Sequence, residues 1–161
     1  MQFSIQREAL LKPLQQVVGV VERRQTLPVL ANLLFKVADG KLSMAGTDLE
    51  VEMVATAEAE KLTDGEITIP ARKLFDIVRA LPDGARIEVK LNGDRVALNA
   101  GRSRFTLTTL PASEFPTVDQ IELVEKVSLP EEVPRDLMER TAFAMANQDV
   151  RYYLNGMLLD L

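Results

Sequence analysis

ARKLFDIVRALPDGARIEVKLNGDRVALNAGRSRFTLTTL, residues 71–110, carries both periodicities from which the fold can be read. Leu74, Ile77, Val78 and Leu81 recur at helical spacing just after Pro70, while Arg72, Asp76 and Arg79 share the opposite face. This predicts an amphipathic helix. From Ile87 onward the period drops to two, and the segment breaks at NGD and again at NAGR. Three antiparallel strands joined by tight turns are expected.

Toward the N-terminus the same alternation of patterns appears once more. FSI (3–5) reads as a short strand, and Leu10, Leu11, Leu14, Val17, Val18 and Val21 place one oily stripe on a helix over 7–21. Lys12, Gln15, Gln16 and Gly19 fall off that stripe, so the polar face is almost free of acids. A basic loop, ERRQTLP, leads into a hairpin of LANLLFKV (30–37) and KLSMAGTD, turned at ADGK. LEVEMVATAEAE alternates, which predicts a strand with Leu49, Val51 and Met53 on one side and Glu50 and Glu52 on the other. ITIP is a further strand. Strands interrupted by two helices define an α+β domain.

Toward the C-terminus, PASEFPTVDQ is rich in proline and marks a domain boundary near 111–125. Beyond it KVSL reads as a strand, PRDLMERTAFAM as a helix and YLNGMLLDL as a strand. That order repeats the start of the chain. A shift of 123 positions lays Lys12 on Arg135, Leu14 on Leu137, Asn32 on Asn155 and Leu34 on Met157. The expected organisation is a first domain over 1–123 and the opening of a second copy over 124–161, in a truncated polypeptide.

Composition restricts the chemistry. The chain has 161 residues, 47% of them hydrophobic and 27% charged, with neither cysteine nor histidine. Disulfides, thiolate or imidazole zinc sites, and triads built on histidine are therefore excluded. No apolar run approaches the length a bilayer requires and Arg7 and Glu8 interrupt the N-terminus, so a cytoplasmic location is the expectation. Phosphate-binding loops, dinucleotide fingerprints and nucleophile elbows are absent too. No cofactor is expected.

The net charge of −5 hides a segregation. Acids dominate from Asp39 to Glu66, whereas Arg7, Lys12, Arg23 and Arg24 face only Glu8 and Glu22, and Arg72, Lys73 and Arg79 face only Asp76. Cations on acid-poor helix faces can neutralise phosphates without reading bases. Asp48, Glu50 and Glu52 could hold a divalent ion for hydrolysis, but without an acid–base partner they read as a solvated strand face. Tyr152 and Tyr153, beside Gln148 and Arg151, could start a core strand or meet nucleic acid. In GRSRFTL (101–107), Arg102 and Arg104 alternate with Ser103, Phe105 and Leu107: such an edge strand is either guarded by its charge or paired with another subunit.

GTDLEVEMV, PARKLFDIVRALP, GRSRFTLTTLPASEFP and QDVRYYLNGML closely resemble the bacterial DNA polymerase III beta-subunit family, the sliding clamps, in one register across the chain. The resemblance implies a clamp fold of helices packed on antiparallel sheets, repeated along the chain, in a homodimeric ring around duplex DNA. It implies a processivity factor without catalytic activity, with DNA, the polymerase III catalytic subunit, the clamp loader and other clamp-binding polymerases or repair factors as partners. Carried over by position, Arg24, Arg72, Gln148, Tyr152 and Tyr153 would touch DNA, with Arg7 and Lys12 weaker contributors on charge grounds. Arg151 and Leu154 would belong to a pocket for partner peptides, and Lys73, Arg95, Arg102, Arg104, Phe105 and Leu107 to the subunit interface. The alternative is a self-contained, non-specific nucleic-acid-binding module that does not encircle DNA.

Overall fold

The fold begins with a strand, β1 (Gln2–Gln6), that runs directly into the first helix, α1 (Arg7–Val18). In the computed structural model, residues 1–21, 27–117 and 127–160 are described. They fall into two compact units, Met1–Asp119 and Gln120–Leu161.

In the first unit a 3-10 turn at Pro28–Ala31 leads into β2 (Asn32–Ala38) and β3 (Lys41–Thr47). Then follow β4 (Glu52–Ala57), β5 (Glu60–Thr63), β6 (Gly65–Pro70), α2 (Ala71–Ala80), β7 (Arg86–Asn92), β8 (Arg95–Ala100) and β9 (Ser103–Thr108). The strands form two antiparallel sheets, ordered β5-β1-β7-β8-β9 and β4-β3-β2-β6. The expected α+β architecture of helices on antiparallel sheets is present.

One core serves both sheets and both helices. Alternate strand residues such as Phe3 and Ile5 on β1, Leu33, Phe35 and Val37 on β2, and Ile87 and Val89 on β7 point into it. The helices contribute Leu10, Leu14 and Val17 from α1 and Leu74 and Val78 from α2, at the spacing of one helical face. The Phe3 and Phe35 rings, from different sheets, stack with centroids 6.2 Å apart. Leu11 and Ile77, which also belong to the two stripes, are half-buried at its margin. At Gly46 on β3 the fit is closest: a Cβ there would lie 2.9 Å from the Val17 carbonyl oxygen and 2.8 Å from Leu33 Cδ2. The end of α1 rests on bare backbone.

Three strand expectations need correction. The alternation over 49–60 is not one strand, because Asp48 Oδ1 accepts the N–H groups of Glu50 (2.9 Å) and Val51 (2.7 Å) and curls the chain into a turn. Leu49 takes a left-handed φ of 81° there, and pairing with β3 starts only at Glu52. Leu49 and Val51 consequently point into solvent, as does Val54. In the second unit, α3 spans Glu132–Thr141, two residues earlier at its start than the pattern suggested. Among the described residues of KVSL and YLNGMLLDL there is no strand: residues 127–129 are irregular and Tyr152–Asn155 form a 3-10 turn. Extended backbone needs a neighbouring strand for its N–H and C=O groups, and among the described residues of this unit there is none.

A buried polar junction ties β2 and β6 of the second sheet to the chain leaving β9. Thr68 on β6, fully buried, donates from Oγ1 to the Leu110 carbonyl at 2.8 Å and accepts from Asn32 Nδ2 at 2.8 Å. The Leu110 N–H also donates to that hydroxyl, at 3.2 Å. Replacement of Thr68 by Val removes the shared partner and strands the Asn32 carboxamide in the core. Urea denaturation should register a loss of about 1–3 kcal/mol, the cost of an unsatisfied buried polar group; an unchanged midpoint would show the junction to be dispensable.

Candidate nucleic-acid interface

Helices α1 and α2 run antiparallel, and an arginine ties them together at each end. At the start of α1, Arg7 Nε donates to the Val78 carbonyl at 3.1 Å and its Nη2 to the Arg79 carbonyl at 3.1 Å. These are carbonyls of the last turn of α2, which have no partner within that helix. A cation there also meets the negative end of the helix dipole. At the other end of the pair, Arg72 Nη2 donates to the Val21 carbonyl at 2.9 Å, just beyond the end of α1.

The two arginines differ in what remains free. Arg7 also pairs with Asp83 at 2.7 Å and Glu8 at 3.2 Å, and its side chain is only 13% exposed. Its expected role as a phosphate contact is therefore corrected: the guanidinium is consumed in holding the helices. Arg72 is exposed and uses a single nitrogen on Val21, and among the described residues no carboxylate pairs with it. Lys12, Gln15 and Gln16 are exposed on α1, as the pattern of its stripe predicted. Arg79 pairs with Asp76 at 3.2 Å and sits over the Phe75 ring, 5.4 Å from its centroid. Arg24 lies outside the described residues.

Glu8 completes the corner where α1 begins. Its Oε1 accepts the Gly84 N–H at 3.0 Å, and this bond, its own amide and the neighbouring Arg7 hold its carboxyl below the ordinary 4.5. Asp48 is likewise lowered, chiefly by the Val51 and Glu50 N–H groups in its turn. The three carboxylates once considered for a metal, Asp48, Glu50 and Glu52, thus include one already committed to backbone amides.

In the second unit, Gln148 has a left-handed φ of 57° and opens a tightly bonded loop. The Asp149 N–H donates to Asn155 Oδ1 at 2.9 Å, and Asn155 Nδ2 returns to the Asp149 carbonyl at 3.0 Å. Arg151 donates from Nε and Nη2 to the two Asp149 carboxylate oxygens, both at 3.0 Å. That pairing, with the Arg151 N–H, lowers the Asp149 pKa, and the carboxylate in turn raises that of Arg151. Tyr152 and Tyr153 stand out from the loop, 83% and 67% exposed, in an edge-to-face pair with centroids 6.0 Å apart. The reading of them as core residues is not met; in this chain they are surface rings. Leu154 lines a groove of about 340 Å³ with Met145, Tyr153 and Met157, whereas Arg151 is not part of its wall. Asp149 and Asn155, which organise this loop, escaped the sequence reading. The available signal was the tendency of such side chains to bond nearby backbone.

The remaining candidates lie on the first unit. Strand β9 is an edge of its sheet. Arg104 on it, Arg102 in the preceding turn, Arg95 at the start of β8 and Lys73 on α2 are all exposed, and none has an ion pair among the described residues. Phe105 is half-buried, and Leu107 packs in the core.

Comparison with known proteins adds three findings. Residues 1–119 match the model of the DNA polymerase III beta subunit, N-terminal domain. The beta sliding clamps of Pseudomonas putida and Escherichia coli K12 are 58% and 55% identical over 162 and 161 aligned residues, which cover 100% and 99% of this chain. The chain spans less than half of these relatives, 44% of each. Among solved structures, the DNA polymerase III subunit beta of Pseudomonas aeruginosa aligns with a TM-score of 0.93 at 56% identity, covering 98% of this chain and 43% of that one. A Caulobacter crescentus sliding clamp gives 0.91 at 42% identity, over 97% of this chain and 43% of its own.

The corner at Arg7 carries two expectations. Arg7→Ala should lower the unfolding free energy by about 2–3 kcal/mol, since charge-assisted bonds to the α2 carbonyls are lost. A depressed carboxylate stabilises the fold above its ordinary pKa and loses that contribution as pH falls through the lower folded value. The melting temperature should therefore decline with acid below the ordinary 4.5 of Glu8. Thermal scans of Glu8→Gln should start lower at neutral pH and decline less on acidification; parallel curves for the two proteins would show that Glu8 contributes nothing.

Proposed function

The chain belongs to the family of DNA polymerase III beta subunits, the sliding clamps, and on that premise we propose that it is the opening part of a non-enzymatic ring. The ring encircles duplex DNA and tethers the replicative polymerase to it in the cytoplasm. Residues 1–123 are its first clamp domain, and 124–161 begin a second. The observation that carries this reading is the acid-poor outward face of the α1–α2 pair, with Lys12 and Arg72 exposed while acids crowd the segment from Asp39 to Glu66. A helix face of that kind suits phosphate oxygens, to which it offers cations and amides without base specificity.

In this reading Arg24, Arg72, Gln148, Tyr152 and Tyr153 touch the duplex. Arg72 does so with the guanidinium nitrogens that Val21 leaves free, and the exposed tyrosines offer both a ring and a hydroxyl. Leu154 and Arg151 contribute to the site for peptides of the polymerase catalytic subunit, the clamp loader and other clamp-binding polymerases or repair factors. Leu154 supplies apolar wall, and Arg151 acts through the loop it stabilises with Asp149. The open edge of β9 adds a strand from the partner subunit. Arg95, Arg102, Arg104 and Lys73 attract its acids, Phe105 adds apolar surface, and Leu107 supports the strand from within.

Retention on DNA separates this mechanism from ordinary binding. The full-length protein, once loaded, should persist on closed circular DNA at salt that strips phosphate binders, and leave when the circle is cut. Equal loss from both forms would remove the topological mechanism in favour of a module that binds without encirclement. Arg72→Ala in the full-length protein should weaken direct duplex binding similarly for all sequences and reduce its salt slope by about one. A change in base preference would contradict the phosphate assignment.

A further inference from the structure

We propose that Asn92–Gly93, at the turn between β7 and β8, is a site of spontaneous deamidation and isomerisation, and that the chain's other Asn–Gly pair, Asn155–Gly156, is protected by its hydrogen bonds. The two sites share a dipeptide and differ in what holds the carboxamide. Asn92 is exposed, and no side-chain hydrogen bond among the described residues restrains it. It is the last residue of β7, paired in register with Arg95 across the turn Gly93–Asp94. Gly93 has a left-handed φ of 60°, and open space surrounds the place where its Cβ would be. At Asn155, by contrast, Oδ1 accepts the Asp149 N–H at 2.9 Å and Nδ2 donates to the Asp149 carbonyl at 3.0 Å.

The reaction needs only base and water. The Gly93 backbone nitrogen gives up its proton to solvent base and attacks Asn92 Cγ. An N–Cγ bond forms, the Cγ–Nδ2 bond breaks, and ammonia leaves a five-membered succinimide. Water then opens the ring: cleavage of N–Cγ yields aspartate, and cleavage at the main-chain carbonyl yields isoaspartate. Glycine is the following residue that least obstructs the attacking nitrogen, because it has no Cβ. The carboxamide must also be free to swing onto that nitrogen, as it is at Asn92. At Asn155 the same motion first breaks two bonds.

The product reaches beyond the turn. Isoaspartate routes the main chain through Cβ and Cγ and so lengthens the backbone by one carbon at the Asn92–Arg95 pair. The neighbouring Asp94 carbonyl accepts both the N–H of Thr109 at 2.9 Å and its hydroxyl at 2.7 Å, which binds the turn to the chain leaving β9. Displacement of that carbonyl loosens the end of the β9 edge.

The chain should be incubated at mildly alkaline pH, digested with trypsin, and its peptides weighed and tested as substrates of an isoaspartyl methyltransferase. Cleavage after Lys90 and Arg95 isolates residues 91–95, and cleavage after Arg151 isolates 152–161. In native protein, conversion of the first peptide should outpace the second by about tenfold or more, the scale expected from breaking two hydrogen bonds. In urea the two rates should converge. Equal native rates, faster conversion at Asn155, or a difference that persists in urea would each overturn the proposal. Asn92→Gln should abolish methyl transfer to peptide 91–95, and retained transfer would also overturn it.

Discussion

The helix pair α1–α2 depends on the satisfaction of carbonyls at helix ends. The last carbonyls of a helix have no intrahelical donors, and two helices packed antiparallel bring each such end beside the start of the other. Here Arg7, at the start of α1, supplies donors to the Val78 and Arg79 carbonyls of α2, and Arg72, near the start of α2, donates to the Val21 carbonyl just beyond the end of α1. The pair is thereby fixed in length and direction over a core it shares with two sheets. Gly46 sets the remaining dimension, since a side chain there would collide with the backbone of α1. Such a support holds the helix face through backbone carbonyls, and the acids beside it, Glu8 and Asp83, are themselves spent on Arg7.

Much of the first unit was legible because its burial is regular. The stripes of α1 and α2 and the alternation of β7, β8 and β9 are responses to a single core, and periodicity records that response directly. Where local bonding competes with pattern, the pattern misleads. Leu49 to Met53 alternate as a strand would, yet the Asp48 carboxylate captures two amides and turns the chain first. In the second unit the failure has another origin. Strand character in KVSL and YLNGMLLDL expresses what those residues favour beside a neighbour, and pairing is a property of two segments, which one segment cannot encode.

Candidate site residues were legible as charges and not as roles. Arg7 and Arg72 look alike in sequence, each near the start of an amphipathic helix. Only the packed structure shows that the first is surrounded by two carbonyls and two carboxylates while the second keeps most of its guanidinium exposed. Gln148, Arg151, Tyr152 and Tyr153 attracted attention because they are conspicuous side chains. Asp149 and Asn155, which give them a common frame, are small and polar and bond locally, so their contribution appears only as geometry.

In the second unit, no described residue between 127 and 160 is buried, even though Phe143, Val150 and Leu158 are there. Its bonds are local: the turns of α3, the Asp149–Asn155 exchange, and the Ala146 N–H on the Leu154 carbonyl at 2.9 Å. Amide protons protected only by such bonds exchange through small openings that expose little new surface. Their exchange is consequently insensitive to denaturant, whereas amides in the central strands of the first unit await its cooperative unfolding. One polypeptide thus carries two regimes of hydrogen exchange, divided by what each segment has to lean on.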